Sequence, residues 1–129
     1  MRHDLVKTFY FAEKKAVKDE NHEIVSKYVA PLIKVVAAEL PINDYISITT
    51  YGSMITRMRR LYDDVGQMRL LSSDAEYGVW TDIPTDTEKV FLDGNEVIAY
   101  NSPKYLLDTP IVVFGNVRKC DIRRVTVDD

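Results

Sequence analysis

Met54, Met58, Leu61, Val65 and Met68 stand four, three, four and three residues apart, which is the rhythm of one apolar stripe along an α-helix. Beyond residue 70 the rhythm changes to period two, in "EYGVWTD", "EKVFLDG", "NEVIAY", "TPIVVFG" and "VRKCDIRRVTV". A chain that switches period in this way must bury helical stripes against a sheet that follows them. At 129 residues it has room for one hydrophobic core, so a single globular domain over residues 1–129 is expected.

The first half supports further helices. Leu5, Phe9, Ala12 and Ala16 recur at helical spacing; Phe9 and Phe11 also alternate around Tyr10, but Ala12 to Ala16 are good helix formers and favour the helix. Asn21 can cap a second helix whose stripe is Ile24, Tyr28, Leu32 and Val35, kinked or divided at Pro31 and ended by Pro41. "DYISITTYG" alternates and predicts a strand over residues 45–51. After Gly52 a helix is predicted from Ser53 to about Leu70. Asp93-Gly94 supplies the backbone of a tight hairpin turn, and Gly115-Asn116 offers another. The expected fold class is therefore α+β, with N-terminal helices packed against a mainly antiparallel C-terminal β-sheet.

Charge narrows the partners. The formal net charge is -3, but residues 1–69 carry a small positive excess and residues 70–129 a larger negative one. Arg57, Arg59 and Arg60 form the one dense basic cluster, and guanidinium groups suit phosphate or carboxylate. A nucleic acid or a small anionic ligand could use them, with Tyr62 as a stacking ring. Asp63 and Asp64, four residues after Arg59 and Arg60, would neutralise the same helix face, and no recognised nucleic-acid motif accompanies it.

Chemistry-bearing motifs are sparse. Gly52-Ser53 follows a predicted strand, yet the full phosphate-loop and dinucleotide patterns are missing, and Ser53 reads as a helix cap. His3 and His22 lack the spacing of a zinc site, and Asp74, Glu76, Asp82, Asp86 and Glu88 lack that of a calcium loop, so neither metal nor cofactor is expected. Cys120, the single cysteine, is expected as a buried thiol and fits a reducing compartment. The most apolar run is interrupted by Lys34 and Glu39 and is too short to span a bilayer, which predicts a cytoplasmic protein, of a cell or of a virus-infected host.

These readings favour a small regulatory or structural binding protein that acts through protein-protein contacts and self-associates. Met54, Met58, Leu61, Val65 and Met68 are the expected interface, with Arg57, Arg59, Arg60, Tyr62 and Trp80 as partner- or ligand-binding residues. Nucleic-acid or nucleotide binding through the arginines is the alternative, and a small hydrolase or transferase with dispersed polar residues the third.

Overall fold

The structure is a computed structural model that describes residues 6–107 and 109–125. Its strands are β1 (Val6–Lys18), β2 (Ile24–Leu40), β3 (Met58–Asp63), β4 (Tyr77–Trp80), β5 (Thr87–Leu92), β6 (Asn95–Tyr100), β7 (Tyr105–Leu107), β8 (Val112–Phe114) and β9 (Val117–Arg124). Between β2 and β3 lies one helical segment, α1 (Tyr45–Tyr51) continuing into a 3₁₀ stretch, Gly52–Arg57. The fold is thus mixed α/β, with an internal helix flanked by strands on both sides. It does not have the expected arrangement of N-terminal helices against a C-terminal sheet.

The ladders close on themselves. Following antiparallel partners from β1 leads through β2, β3, β9, β7 and β4 and back to β1, a closed six-stranded ring. A second ring, β1–β2–β6–β5, is built on the other half of the same long hairpin. Each ring encloses its own apolar cluster. Phe9, Phe11, Val35, Leu61, Val79 and Ile122 are among the residues filling the larger one, and Val17, Val29, Val90 and Ala99 fill the smaller. In the larger cluster Phe11 meets Tyr77 edge to face, with ring centroids 6.0 Å apart.

Four local assignments are corrected, each for a physical reason. In β1 the period-two signal of Phe9 and Phe11 prevails: both are buried while Tyr10 is half-buried, because a long partner strand satisfies the whole backbone. Leu5, at the start of the helix predicted there, lies outside the described residues. In β2 the buried positions are Val29, Val35, Ala37 and Ala38; of the predicted stripe Ile24, Tyr28, Leu32 and Val35 only Val35 is buried, and Ile24 is exposed. Pro31 is tolerated because the β1–β2 register shifts there, from Phe11 opposite Ile33 to Glu13 opposite Val29, so its missing N–H falls in a gap of the ladder.

Residues 45–51 alternate like a strand but form α1, since Asp44 caps them by accepting from the Ser47 amide at 2.9 Å. Of the helix predicted from Ser53 to Leu70, only the two ends are helical, as the 3₁₀ stretch that ends at Arg57 and a 3₁₀ turn at Gln67–Leu70, and residues 58–63 between them are strand. β3 is drawn into the ring between β2 and β9, and the chain after it is turned by Asp63. This buried carboxylate accepts from the amides of Val65 (3.0 Å), Gly66 (3.0 Å) and Met68 (2.6 Å), and Gly66 sits at φ 85. A helix cannot continue where a side chain takes its amides.

Both predicted hairpins form. Asp93 (φ 53) and Gly94 (φ 81) make the two-residue turn between β5 and β6, and Gly115 (φ 60) with Asn116 joins β8 to β9.

Candidate functional site

Arg60 projects from β3 into a polar node on one side of the larger ring. Its Nε donates to Asp121 Oδ1 at 2.6 Å and its Nη2 to Asp121 Oδ2 at 2.9 Å, a bidentate pair on neighbouring strands. Nη1 donates to Asp44 Oδ1 at 2.9 Å, and Nη2 also reaches Ser47 Oγ at 3.0 Å. The Tyr51 hydroxyl donates to Asp121 Oδ2, and the Asp121 amide donates to Thr109 Oγ1 at 2.9 Å. Both ends of α1 are therefore tied to the ring by polar contacts, and none of its residues is buried.

The charges in this node fix one another. Hydrogen bonds from the hydroxyl and amide of Ser47, with Arg60 alongside, hold the Asp44 carboxyl down at about 2. The Asp121 carboxylate hydrogen-bonded to Arg60 keeps that guanidinium protonated far above its ordinary range. Cys120 points into the core instead, where burial, then the carboxylates of Asp121 and Asp63, push its thiol up to about 12.

Most of the residues singled out by sequence are engaged internally. Arg59 pairs with Glu39 (3.4 Å) and donates to the carbonyls of Met58 (2.8 Å) and Thr56 (3.2 Å). Arg57 ends the 3₁₀ stretch, so the three arginines share no helix face; that picture is corrected with the helix itself. Met58, Leu61 and Met68 are buried within the chain, Met54 is half-buried, and Val65 is exposed. They do not form a seam. Tyr62 is half-buried on β3, opposite Lys119. Trp80 is buried, with its indole N–H donating to the Asn101 carbonyl at 3.2 Å and its ring edge-to-face with Tyr28 and Tyr100. Ser53 caps no helix, because Gly52 at φ 55 already terminates α1. His22 occupies the β1–β2 turn beside an apolar groove of about 540 Å³, and His3 lies outside the described residues. Among the described residues no three His, Cys, Asp or Glu side chains converge to hold a metal ion, and no helix is long and apolar enough to cross a membrane.

β8 forms within the predicted strand "TPIVVFG", and its open edge is what the spacing does not show. Among the described strands it alone has a ladder partner on one side only, β9. Its three residues, Val112, Val113 and Phe114, are 43%, 59% and 68% exposed, and none is charged. Edge strands are ordinarily blunted by lysine, proline or a bulge, and this one carries none of these within its span. Phe114 and Val117 close the two-residue turn as a hydrogen-bonded pair, so Val113 opposite Arg118 is a non-hydrogen-bonded pair. The Val113 N–H and C=O therefore face away from β9. Lys119 Nζ lies over the Phe114 ring, 5.3 Å from its centroid. A cleft of about 260 Å³ runs from Tyr51 and Arg60 to Pro110, Val112 and Lys119, linking the polar node to this edge.

Two signals for these features were present. Pro41-Ile42-Asn43-Asp44 announces a helix start, and "TPIVVFG" has no gatekeeping charge. Comparison with protein-family models, with curated proteins and with solved structures finds no match.

Proposed function

We propose that the protein is a small binding protein of structural or regulatory type, which self-associates and does so by accepting an extended strand at β8. The observation that carries this reading is the β8 edge, the one described strand with a ladder partner on a single side, apolar and exposed over its whole length. Main-chain groups on such an edge give affinity for another strand, and the exposed side chains give selectivity. The exposed Tyr45, Ile46 and Ile48 of α1, across the Arg60 cleft, enlarge the surface available to a partner. A single buried thiol suits a reducing cytoplasm.

Nucleic-acid binding draws less support. Arg60 spends its hydrogen bonds on Asp121, Asp44 and Ser47, and Arg59 on Glu39 and two carbonyls, so neither guanidinium is offered to a phosphate.

Sedimentation across the micromolar range tests the proposal. The wild type should show concentration-dependent association, and Val113→Pro, which removes an outward-facing N–H while leaving the β8–β9 bonds in place, should not. A wild type that stays monomeric throughout, or a Val113→Pro variant that associates as well as the wild type, refutes it.

A further inference from the structure

We propose that Arg69 and Arg118 form a binding site for a phosphate dianion, either free or carried as a monoester on a small molecule. The site lies on the β3 side of β9 and does not depend on the strand-accepting reading of β8.

The fold brings the two arginines together from separate elements. On β9, Arg118 precedes Cys120 by two residues and Ile122 by four, so it shares the face that these two turn into the larger core. It stands where that face ends, half-buried. The turn after β3 closes the same end of the core with Met68, which is fully buried. Within this turn Gly66 adopts φ 85, and its carbonyl accepts from the Arg69 amide at 3.3 Å, which winds Arg69 back toward it. A Cβ on Gly66 would lie 3.6 Å from Arg69 Nη1 and 3.9 Å from Arg118 Nη1. Two guanidinium groups therefore converge on one stretch of backbone that carries no side chain.

Such a convergence of like charge is ordinarily answered by a carboxylate, and here none answers it. Neither guanidinium makes a hydrogen bond or an ion pair among the described residues. Arg59 and Arg60, by contrast, are spent on Glu39, Asp44 and Asp121. Asp63 faces Arg118 across the β3–β9 ladder, yet its oxygens accept from the Val65, Gly66 and Met68 amides and it forms no ion pair with the arginine. Asp64 is exposed and pairs with neither arginine.

Geometry selects among anions. A carboxylate has two oxygens, and one guanidinium fork satisfies both, as Arg60 does for Asp121. Two forks approaching one place suit an acceptor whose oxygens point in several directions. The phosphate of a monoester has three such oxygens and a charge of about −1.5 to −2 at neutral pH. Both Nη1 atoms lie within 4 Å of the same point, so they are close enough for one phosphate to accept from both in bonds of about 2.8 Å. A nucleic-acid backbone is a poorer match, since each diester carries a single charge and two cations cannot follow a strand.

NMR titration of the full chain at about pH 7.5, with phosphate replacing chloride at constant ionic strength, tests the site. The Gly66 amide, held by Asp63, and the side-chain Nε–H signals of Arg69 and Arg118 should shift saturably with inorganic phosphate, with a dissociation constant on the order of 1 mM. Glycerol phosphate separates the sources: equal or tighter binding shows that the site takes a phosphate carried on a small molecule, weaker binding that free phosphate is its ligand, and either supports the dianion site. Dimethyl phosphate and acetate should bind at least about tenfold more weakly than inorganic phosphate. Arg69→Gln and Arg118→Gln should each weaken phosphate binding by at least about tenfold. Arg69 is exposed, so its variant leaves the core untouched, and Arg118→Lys, which loses the paired fork, replaces Arg118→Gln if that variant disturbs the end of the core. A wild type whose signals do not saturate, undiminished binding in the arginine variants, or equal affinity for dimethyl phosphate or acetate overturns the proposal.

Discussion

Asp63 should be the most costly single carboxylate in the protein to remove. It is fully buried, and its two oxygens accept from three amides, those of Val65, Gly66 and Met68. Hydrogen bonds to a charged acceptor contribute roughly 1.5–3 kcal/mol each, which sets a ceiling of about 4–9 kcal/mol for the three together. Removing the carboxylate also removes its own desolvation penalty, and the Val65 side of the turn is exposed enough for water to replace part of what is lost. The net expectation for Asp63→Ala is a loss of ~3–5 kcal/mol. With an unfolding entropy of about 2.1 cal/mol/K per residue over the 129 residues, that lowers the melting temperature by roughly 10–20 °C. Asp63→Asn should cost less, about 2 kcal/mol, because its carbonyl keeps the Val65 and Gly66 bonds while its NH₂ group confronts the Met68 N–H. Urea unfolding followed by circular dichroism measures both. A loss below about 1 kcal/mol for Asp63→Ala, or an Asn variant no more stable than the Ala variant, would refute the account of how this turn is held.

Gly78→Ala should cost ~1–3 kcal/mol in the same assay, because its new methyl would meet Pro103, Trp80 and Tyr28 at 3.1 Å each. Cys120 should resist a thiol reagent at pH 8 until the protein unfolds. Its folded value of about 12 lies above the ordinary 9.0, so the stability from the neutral thiol is complete below pH 9 and is lost as pH rises toward 12, a loss that Cys120→Ala should abolish in alkaline melts. For Asp44 the sign is reversed: its carboxyl is held at about 2 against an ordinary 3.8, so its contribution is complete above pH 4 and disappears as pH falls toward 2. Protection of the Ser47 amide, taken relative to the intrinsic exchange rate at each pH, should fall over this range in the wild type and be low throughout in Asp44→Ala, since its N–H bonds that carboxylate.

How much of this was legible in the sequence varied with the distance over which each element is decided. The β5–β6 and β8–β9 turns were readable because Asp93, Gly94 and Gly115 answer to their own backbone angles. β1, β2 and β3 were misread as helices because their strand state depends on partners far along the chain, as β3 depends on β9. Helical spacing of Met54, Met58, Leu61, Val65 and Met68 is real in the sequence but does not give one helix face, since residues 58–63 pair as a strand with β2 and β9 and Asp63 turns the chain after them. Arg60 stands out in the sequence by its charge, but its partner Asp121, buried between Cys120 and Ile122, lies on a strand 61 positions away that no local pattern connects to it. The exposure of β8 is likewise a property of the closed ladders around it, invisible until every other strand has been paired.

The position of β9 also bears on how the chain is made. Residues 117–124 complete the larger ring by pairing at once with β3 and β7, and they also hold β8. Until they leave the ribosome, β3 and β7 each have an open side and the apolar interior they enclose has no wall there. A nascent chain can form the β1–β2 hairpin and the smaller ring with β5 and β6, but the larger core must wait until β9 has been synthesised. Translational pausing before that point would prolong the exposure of unpaired strands, and the delay would be felt as aggregation during synthesis, with no change in the stability of the finished molecule.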